Sequence, residues 1–361
     1  MMKRIYNFIL KSSLAAAVAM STTYSIAGNE DRVGSAGASE LLINPWARSL
    51  AFADAGVASV RGLEASYTNI AGLAFTGKTE IKFNSTLWLG NSGVKINSAG
   101  IAQRISDADV ITVGMTAFSF GEIDITQVDL PEGGIGTFKP SYIQINVGYA
   151  RAFSNSIYGG INVKLVSEYI SNASAIGVAI DAGIQYVTGE KDQFKFGIAL
   201  KNIGPKMKFK GDGFSYQVNY SNTGVLATLE QKGAGFEMPS CLYIGAAYDA
   251  IFNESNKLTV AAAFQANSFS YDNYRLGLNY AFRAKKVGFN VAAGYVFEKG
   301  IFKADSRANA LTGFTAGASI DVLWGKEKEI KDKSGFGIEY AMRLSNPFGI
   351  VHTFGVTFDI R

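Results

Sequence analysis

The sequence predicts an all-β protein, a transmembrane antiparallel β-barrel of about 14 strands with an N-terminal plug in its lumen. The prediction rests on an export signal, a composition rich in glycine and aromatic residues, and alternation of apolar with polar or small residues from Thr79 onward. Forty glycines disfavour a helical protein, since each costs about 1 kcal/mol inside a helix. No run of about 18 apolar residues follows the signal, so helical membrane spans are not expected.

The first 27 residues have the pattern of a secretory signal peptide. Lys3, Arg4 and Lys11 precede a short apolar run, Leu14 to Met20, and Ser25-Ile26-Ala27 fits the small-x-small rule for cleavage. The run is too short to span roughly 30 Å of hydrocarbon, so a removable signal is predicted over residues 1–27. Export followed by a barrel places the protein in the cell outer membrane.

The predicted strands are recognised by period-two alternation in segments of about ten residues. In the last segment Phe354, Val356 and Phe358 take one face, and Gly355 and Thr357 take the other. Such length suits a tilted membrane crossing better than a soluble strand. The fourteen predicted strands are 80–89, 94–104, 109–120, 141–153, 157–169, 176–188, 193–203, 240–251, 257–267, 272–283, 287–297, 310–324, 335–345 and 351–361.

The connections alternate in length, which supports this strand count. Short connections rich in turn residues, such as 106–108, 154–156 and 284–286, fall on one side. The long connections 121–140, 204–239 and 298–309 fall on the other, as expected when the short turns face the periplasm. Residues 213–221 alternate as well, and the sequence leaves open whether they form an extra hairpin in the long outer loop.

Two further regions complete the predicted organisation, a plug segment over residues 28–78 and the barrel over 79–361. The plug is rich in small residues, as in Gly34 to Ala38 and Ala51 to Ala58. Alternation predicts many charges inside the barrel, and Glu40, Asp54 and Glu64 of the plug are predicted to supply anions for them. We therefore favour a filled, salt-bridged lumen over an open pore. The predicted lumen charges are Lys82, Lys95, Lys164, Asp181, Lys195, Lys201, Arg275, Asp321, Glu339, Arg343, Asp359 and Arg361.

Part of the plug resembles a known family. The strings Leu41 to Ser49, Ala55 to Ala58 and Ala65 to Ala74 are similar to the opening of the PorV/PorQ family, outer-membrane barrels of the Bacteroidetes with a likeness to FadL-type fatty-acid transporters. The family's usual string is Tyr-x-Asn-Pro-Ala-Gly-Leu-Ala, and this chain departs from it with Ile70 in place of proline. The matching plug positions are Pro45, Arg48, Asn69, Gly72 and Leu73.

The resemblance implies a role in type IX protein secretion or cell-surface attachment, with cargo C-terminal signal domains or translocon components as partners, besides outer-membrane lipid. The outer loop 204–239 is then the candidate recognition surface, because exposed aromatics mark interaction sites. The alternative for these aromatics is packing of the loop on the rim. The candidate partner-binding residues are Phe209, Phe214, Tyr216, Tyr220 and Phe236.

The sequence offers little for catalysis, cofactors or nucleic acid. One cysteine, Cys241, and one histidine, His352, disfavour disulfide, zinc and Ser-His-Asp sites. A net charge of +4 does not indicate nucleic-acid binding. We predict a non-enzymatic barrel without a cofactor or metal. The alternative function is FadL-like transport of hydrophobic small molecules, which the charged or small predicted lumen disfavours.

Overall fold

The computed structural model describes residues 30–220, 225–301, 309–325, 333–345 and 348–361, so the predicted signal peptide lies outside the described residues. Fourteen antiparallel strands form a closed barrel, in which the first strand pairs with the last from Thr79↔Ile360 to Leu87↔His352. The barrel strands are β1 Thr79–Leu87, β2 Lys95–Arg104, β3 Asp109–Ser119, β6 Ser141–Ala152, β7 Ile157–Ile170, β8 Ala173–Thr188, β9 Phe194–Ile203, β12 Cys241–Ile251, β13 Asn256–Asn267, β14 Asn273–Arg283, β15 Val287–Glu298, β16 Gly313–Trp324, β17 Ser334–Ser345 and β18 Gly349–Ile360.

Each of the fourteen predicted strands is therefore confirmed, with ends within a few residues. In the described part of the chain, two hairpins lie outside the barrel. β4 (Ile123–Asp124) pairs with β5 (Thr137–Phe138), and β10 (Ser215–Tyr220) pairs with β11 (Val225–Glu230). The second answers the question that the sequence left open, because residues 215–220 form one strand of an extra hairpin, whereas the first hairpin was not predicted.

The barrel has two unlike ends. β1 begins and β18 ends at one end, together with the short connections such as 105–108, 153–156 and 284–286. We call this end the turn rim. The connections that hold both hairpins leave the opposite end, which we call the loop rim. The asymmetry matches the prediction, and 302–308 and 326–332 within two of the connections lie outside the described residues.

The outer wall carries large apolar side chains that are exposed, as a lipid-facing surface requires. Phe83, Val113, Ile161, Leu276 and Phe354 are each between 47% and 54% exposed and stand on alternate positions of their strands. Among the residues that the structure describes, no helix is long and apolar enough to cross a membrane.

Residues 38–76, here called the inner segment, pack against the inward faces of the strands. It consists of short helices, α1 (Ala47–Ala51) and α2 (Ala65–Thr68), and 3₁₀ turns at Ser39–Leu42, Gly56–Ala58, Gly62–Glu64 and Ile70–Phe75. Helix α1 contacts β15 to β18, turn 56–58 contacts β8, β9, β12 and β13, and turn 70–75 contacts β3 and β6 to β8. Contacts in all directions around one segment place it within the barrel.

Candidate functional site: a filled lumen and the loop rim

The first lumenal cluster centres on Asp54 of the inner segment. Its carboxylate Oδ2 lies 3.2 Å from Nη1 of Arg275 on β14 and 3.2 Å from Nη2 of Arg343 on β17. The amide of Asn44 donates a hydrogen bond to its Oδ1. Asp54 adopts a left-handed φ of 54°, a conformation that Asp and Asn tolerate better than most residues. One carboxylate of the inner segment thus compensates two buried guanidinium groups of the wall.

The second cluster centres on Glu339 of β17, which is 1% exposed. Its Oε1 lies 3.0 Å from Nζ of Lys82 on β1 and 2.8 Å from Nε of Arg48, which approaches as an ion pair rather than in an aligned hydrogen bond. Lys82 also binds the Glu64 carboxylate of the inner segment. Arg48 reaches Asp321 of β16 with its Nη2 at 2.5 Å. The family-motif arginine therefore ties the inner segment to two neighbouring strands.

A third cluster lies within the wall itself. Nζ of Lys164 on β7 lies 2.6 Å from Oδ2 of Asp181 on β8 and donates to Oδ1 of Asn202 at 2.9 Å. Lys201, 2% exposed, stands 3.6 Å above the ring centre of Tyr67. Ion pairs, cation–π contacts and the inner segment thus occupy the lumen at these three clusters.

The predicted lumenal position of Lys95 is wrong. Lys95 is exposed on the outer face of β2, because Ile96 and Ser98 face inward and are each 1% exposed. Ile96 joins an apolar cluster of Ala38, Leu41, Trp88 and Phe118 below the loop rim. Arg361 is likewise exposed at the turn rim, beyond the last residue of β18.

The motif around Asn69 has a clear structural purpose. The Asn69 side chain accepts from the N–H of Ala71 at the start of turn 70–75 and donates to the carbonyl oxygens of Val57 at 2.8 Å and Ile184 at 3.1 Å. Gly72 lies against Val60, where a Cβ would come within 2.1 Å of the carbonyl oxygen. Leu73 is fully buried. These residues hold two stretches of the inner segment together and dock them on β8.

Pro45 and its neighbours start helix α1. Pro45 is buried and precedes Trp46, whose backbone N–H donates to Oδ1 of Asn44 at 2.9 Å. The Asn44 side chain thus closes a turn over residues 44–46, a role common for asparagine. The turn directs α1 toward β15 to β18 and brings Arg48 to its carboxylate partners.

The candidate partner-binding aromatics divide into two groups at the loop rim. Phe209 and Phe236 contact each other with tilted rings whose centres are 5.6 Å apart, and both pack on the apolar cluster below the loop rim. Tyr216 on β10 is 51% exposed, and Phe214 is half-buried. Tyr220 is the last residue of β10, and its side chain is not among those that the structure describes. The first pair packs the loop on the barrel, and Tyr216 is available to a partner.

Residues 32–38 run along the loop rim before the chain enters the barrel. The N–H of Gly37 donates to the carbonyl of Glu237 at 3.0 Å, and Nη2 of Arg32 lies 2.7 Å from Oε2 of Glu237. Hydrogen bonds from Arg32 and Lys206 lower the pKa of the Glu237 carboxyl. Since β1 starts at the opposite end, the inner segment crosses the barrel from the loop rim to the turn rim.

This path predicts which end of the barrel exposes residue 33. Val33→Cys should react with a membrane-impermeant maleimide in intact cells, because Val33 is 40% exposed at the loop rim. Lys78→Cys, exposed at the turn rim, should react only after the outer membrane is permeabilised. The sole native thiol, Cys241, is buried and leaves a low background. Labelling of Lys78→Cys alone in intact cells would contradict the path.

A polar cavity lies in the turn-rim half of the lumen and is lined in part by Arg61 and Lys257. The sequence analysis did not predict it. The alternation of β13 could have indicated that Lys257 faces the lumen, because Lys257 shares its strand face with Thr259 and Ala261, which are both buried. Arg61 stands among small and apolar residues of the inner segment, and no local pattern marks it.

The fold defines the class of protein, an outer-membrane barrel of FadL-like fold. Similar solved structures include the toluene transporter TodX of Pseudomonas putida, with a TM-score of 0.53 and 12% identity over 88% of this chain and 97% of that chain. The toluene transporter TbuX of Ralstonia pickettii has a TM-score of 0.52 and 11% identity over 93% of this chain and 98% of that chain. At such identities the similarity establishes the fold alone.

The sequence narrows the class further. The model of the Type IX secretion system protein PorV family matches residues 26–268, more than half of the chain. The chain belongs to this family, in agreement with the resemblance drawn from residues 41–74. A comparison with curated proteins finds no match.

Proposed function

We propose that this outer-membrane barrel acts in type IX secretion or surface attachment by binding a cargo signal domain or a translocon component at its loop rim. Residues 1–27 serve as its export signal, and residues 28–78 serve as its plug. The family membership supports the secretion role. One observation carries the binding role, namely the apolar face of the β10–β11 hairpin.

The hairpin is two-sided. Tyr216 and Val218 of β10 stand opposite Leu229 and Ala227 of β11, so all four share one face. Tyr216 is 51% and Leu229 39% exposed. The other face carries Gln217 and Thr228, which are polar, together with Leu226. A two-stranded hairpin is only marginally stable alone in water, so an apolar face of this kind calls for a partner.

The transporter alternative finds less support in the lumen. A route for hydrophobic small molecules needs apolar walls, whereas the cavity beside the inner segment is lined by Arg48, Arg61, Glu64, Lys82 and Lys195. Buried ion pairs join the inner segment to the wall and add further charge to the lumen. We therefore place the functional surface on the loop rim rather than in the lumen.

The test compares the two faces of the hairpin. The double variant Tyr216→Ser/Leu229→Ser should lose most of the protein partner that co-purifies from native membranes in mild detergent. Leu226→Ser, 66% exposed on the opposite face, should retain it. Both should remain heat-modifiable, which reports a folded barrel. Equal recovery from both variants, or recovery of lipid and fatty acid alone from the wild type, would overturn the proposal.

A further inference from the structure

The turn-rim half of the lumen holds a cavity of about 220 Å³ between the inner segment and strands β13 to β16. Its walls are polar, with Ser59, Thr259, Asn279, Asn290 and Ser319 among the lining residues. The Asn279 side chain makes no hydrogen bond to the described part of the chain. The exposed side chain of Arg61 stands at the cavity, so solutes on the turn-rim side can reach it.

Positive charge exceeds negative charge at one wall of this cavity. Lys195 of β9 and Lys257 of β13 share a single carboxylate, since their Nζ atoms lie 2.5 Å and 3.2 Å from the same Oδ2 of Asp249. Arg61 pairs with no carboxylate of the described residues and instead lies 4.3 Å from the ring centre of Phe75. Arg61, Lys195 and Lys257 therefore stand at this wall beside the single carboxylate of Asp249, while Glu64 and Glu80 are also among the residues that line the cavity.

The Arg61 guanidinium is placed to bind an anion. The Phe75 ring supports one face of the guanidinium, and its N–H groups have no acceptor among the residues that the structure describes. A guanidinium fork matches the paired oxygens of a carboxylate or phosphate, and an anion there would also relieve the repulsion among the three cations.

We propose that this cavity binds a small hydrophilic anion carrying a phosphate or carboxylate group, taken up from the turn-rim side. Arg61 holds the anionic group, Lys195 and Lys257 supply the surrounding positive charge, and Asn279 binds the rest of the solute. The volume and the polar walls exclude a long acyl chain. The site lies at the opposite end from the β10–β11 hairpin and does not depend on the partner proposed there.

The test is calorimetric titration of the full-length barrel in detergent with sodium phosphate and with sodium succinate, each against sodium chloride of equal ionic strength. One of the two anions should bind saturably at one site per barrel, and the tighter one identifies the group. Arg61→Gln and, separately, Lys257→Gln should weaken binding at least tenfold. Arg151→Gln is the matched control, because Arg151 is exposed at the turn rim and outside the cavity.

Each result has one meaning. Saturable binding that falls in Arg61→Gln and Lys257→Gln but persists in Arg151→Gln supports the site. Absence of saturable binding beyond chloride in the wild type overturns it. Binding that stays equal in all three heat-modifiable variants also overturns it, because the anion then binds elsewhere.

Discussion

The Asp54→Asn variant is expected to lose about 3 kcal/mol or more of its free energy of unfolding, because breaking a buried ion pair leaves uncompensated charge. Arg275 and Arg343 both rely on the Asp54 carboxylate, and each is at most 6% exposed. Asparagine keeps the shape of the side chain and tolerates the left-handed backbone at this position. The change therefore removes charge with little other disturbance.

Equilibrium urea unfolding in detergent, followed by tryptophan fluorescence, measures this loss. Asp129→Asn is the matched control, since Asp129 is an exposed acid in the loop between β4 and β5, and its midpoint should remain that of the wild type. Arg275 keeps a hydrogen bond from its Nε to Oε1 of Gln265 at 3.0 Å, so we expect the larger disturbance at Arg343. If Asp54→Asn unfolds at the wild-type midpoint, the Asp54 cluster does not stabilise the barrel.

The Asp54 cluster also shows how far the sequence reaches. Alternation along β14 and β17 predicts inward-facing Arg275 and Arg343, and the composition of the plug predicts that Asp54 supplies an anion. The pairing itself joins positions more than 200 residues apart. It depends on the height and angle of the inner segment in the barrel, which no local pattern encodes. The face of a residue is thus predictable, and its partner is not.

The error at Lys95 has a physical cause in β2. The strand Lys-Ile-Asn-Ser-Ala-Gly-Ile-Ala-Gln-Arg has one isoleucine on each face, so its alternation points both ways. Ile96 faces inward because the lumen below the loop rim is apolar, with Leu41 and Trp88 in contact with the same cluster. The lumen is polar in one layer and apolar in another. Polarity alone therefore does not predict which face of a strand points into the lumen.

The loop rim was the least predictable region. The 204–240 connection is held by isolated pairs such as Ser174↔Lys210 and Ala36↔Glu237, which link distant parts of the chain. Alternation in residues 216–220 predicts a strand, whereas the packing of Phe209 against Phe236 depends on these distant pairs. Sequence alone therefore could not separate the aromatics that pack the loop from those that remain exposed.

The departure of Ile70 from the family string is compatible with the same fold. Ile70 is the first residue of turn 70–75, immediately after Asn69, whose side chain caps it. The first position of a helix suits proline, because its N–H has no partner within the helix. Asn69 is extended, with φ −156° and ψ 107°, as a residue before proline must be. Isoleucine instead adds a buried side chain, 2% exposed, at a site where the backbone accepts either residue.

Gly72→Ala is expected to destabilise the inner segment by about 1–3 kcal/mol, the range for overpacking a filled interior. The added Cβ would lie 2.1 Å from the carbonyl oxygen of Val60 and 2.9 Å from its carbon, and backbone atoms cannot rotate away. Turn 70–75 or residue 60 must shift, which disturbs the neighbouring hydrogen bonds of Asn69. Limited proteolysis should then cleave the inner segment faster than in the wild type.

Gly235→Ala provides the comparison for Gly72→Ala. A Cβ at Gly235 would meet its nearest neighbours at 3.5 Å, an ordinary contact, so its urea midpoint and cleavage rate should not change. Equal cleavage rates for Gly72→Ala and Gly235→Ala would show that the close approach of Gly72 to Val60 does not stabilise the inner segment. Gly72→Ala disturbs a contact within the inner segment, whereas Asp54→Asn breaks its tie to the wall. Asp54→Asn could lower the urea midpoint while Gly72→Ala leaves the midpoint unchanged and only speeds cleavage. The stability of the barrel would then depend on the charges of the inner segment rather than on its internal packing.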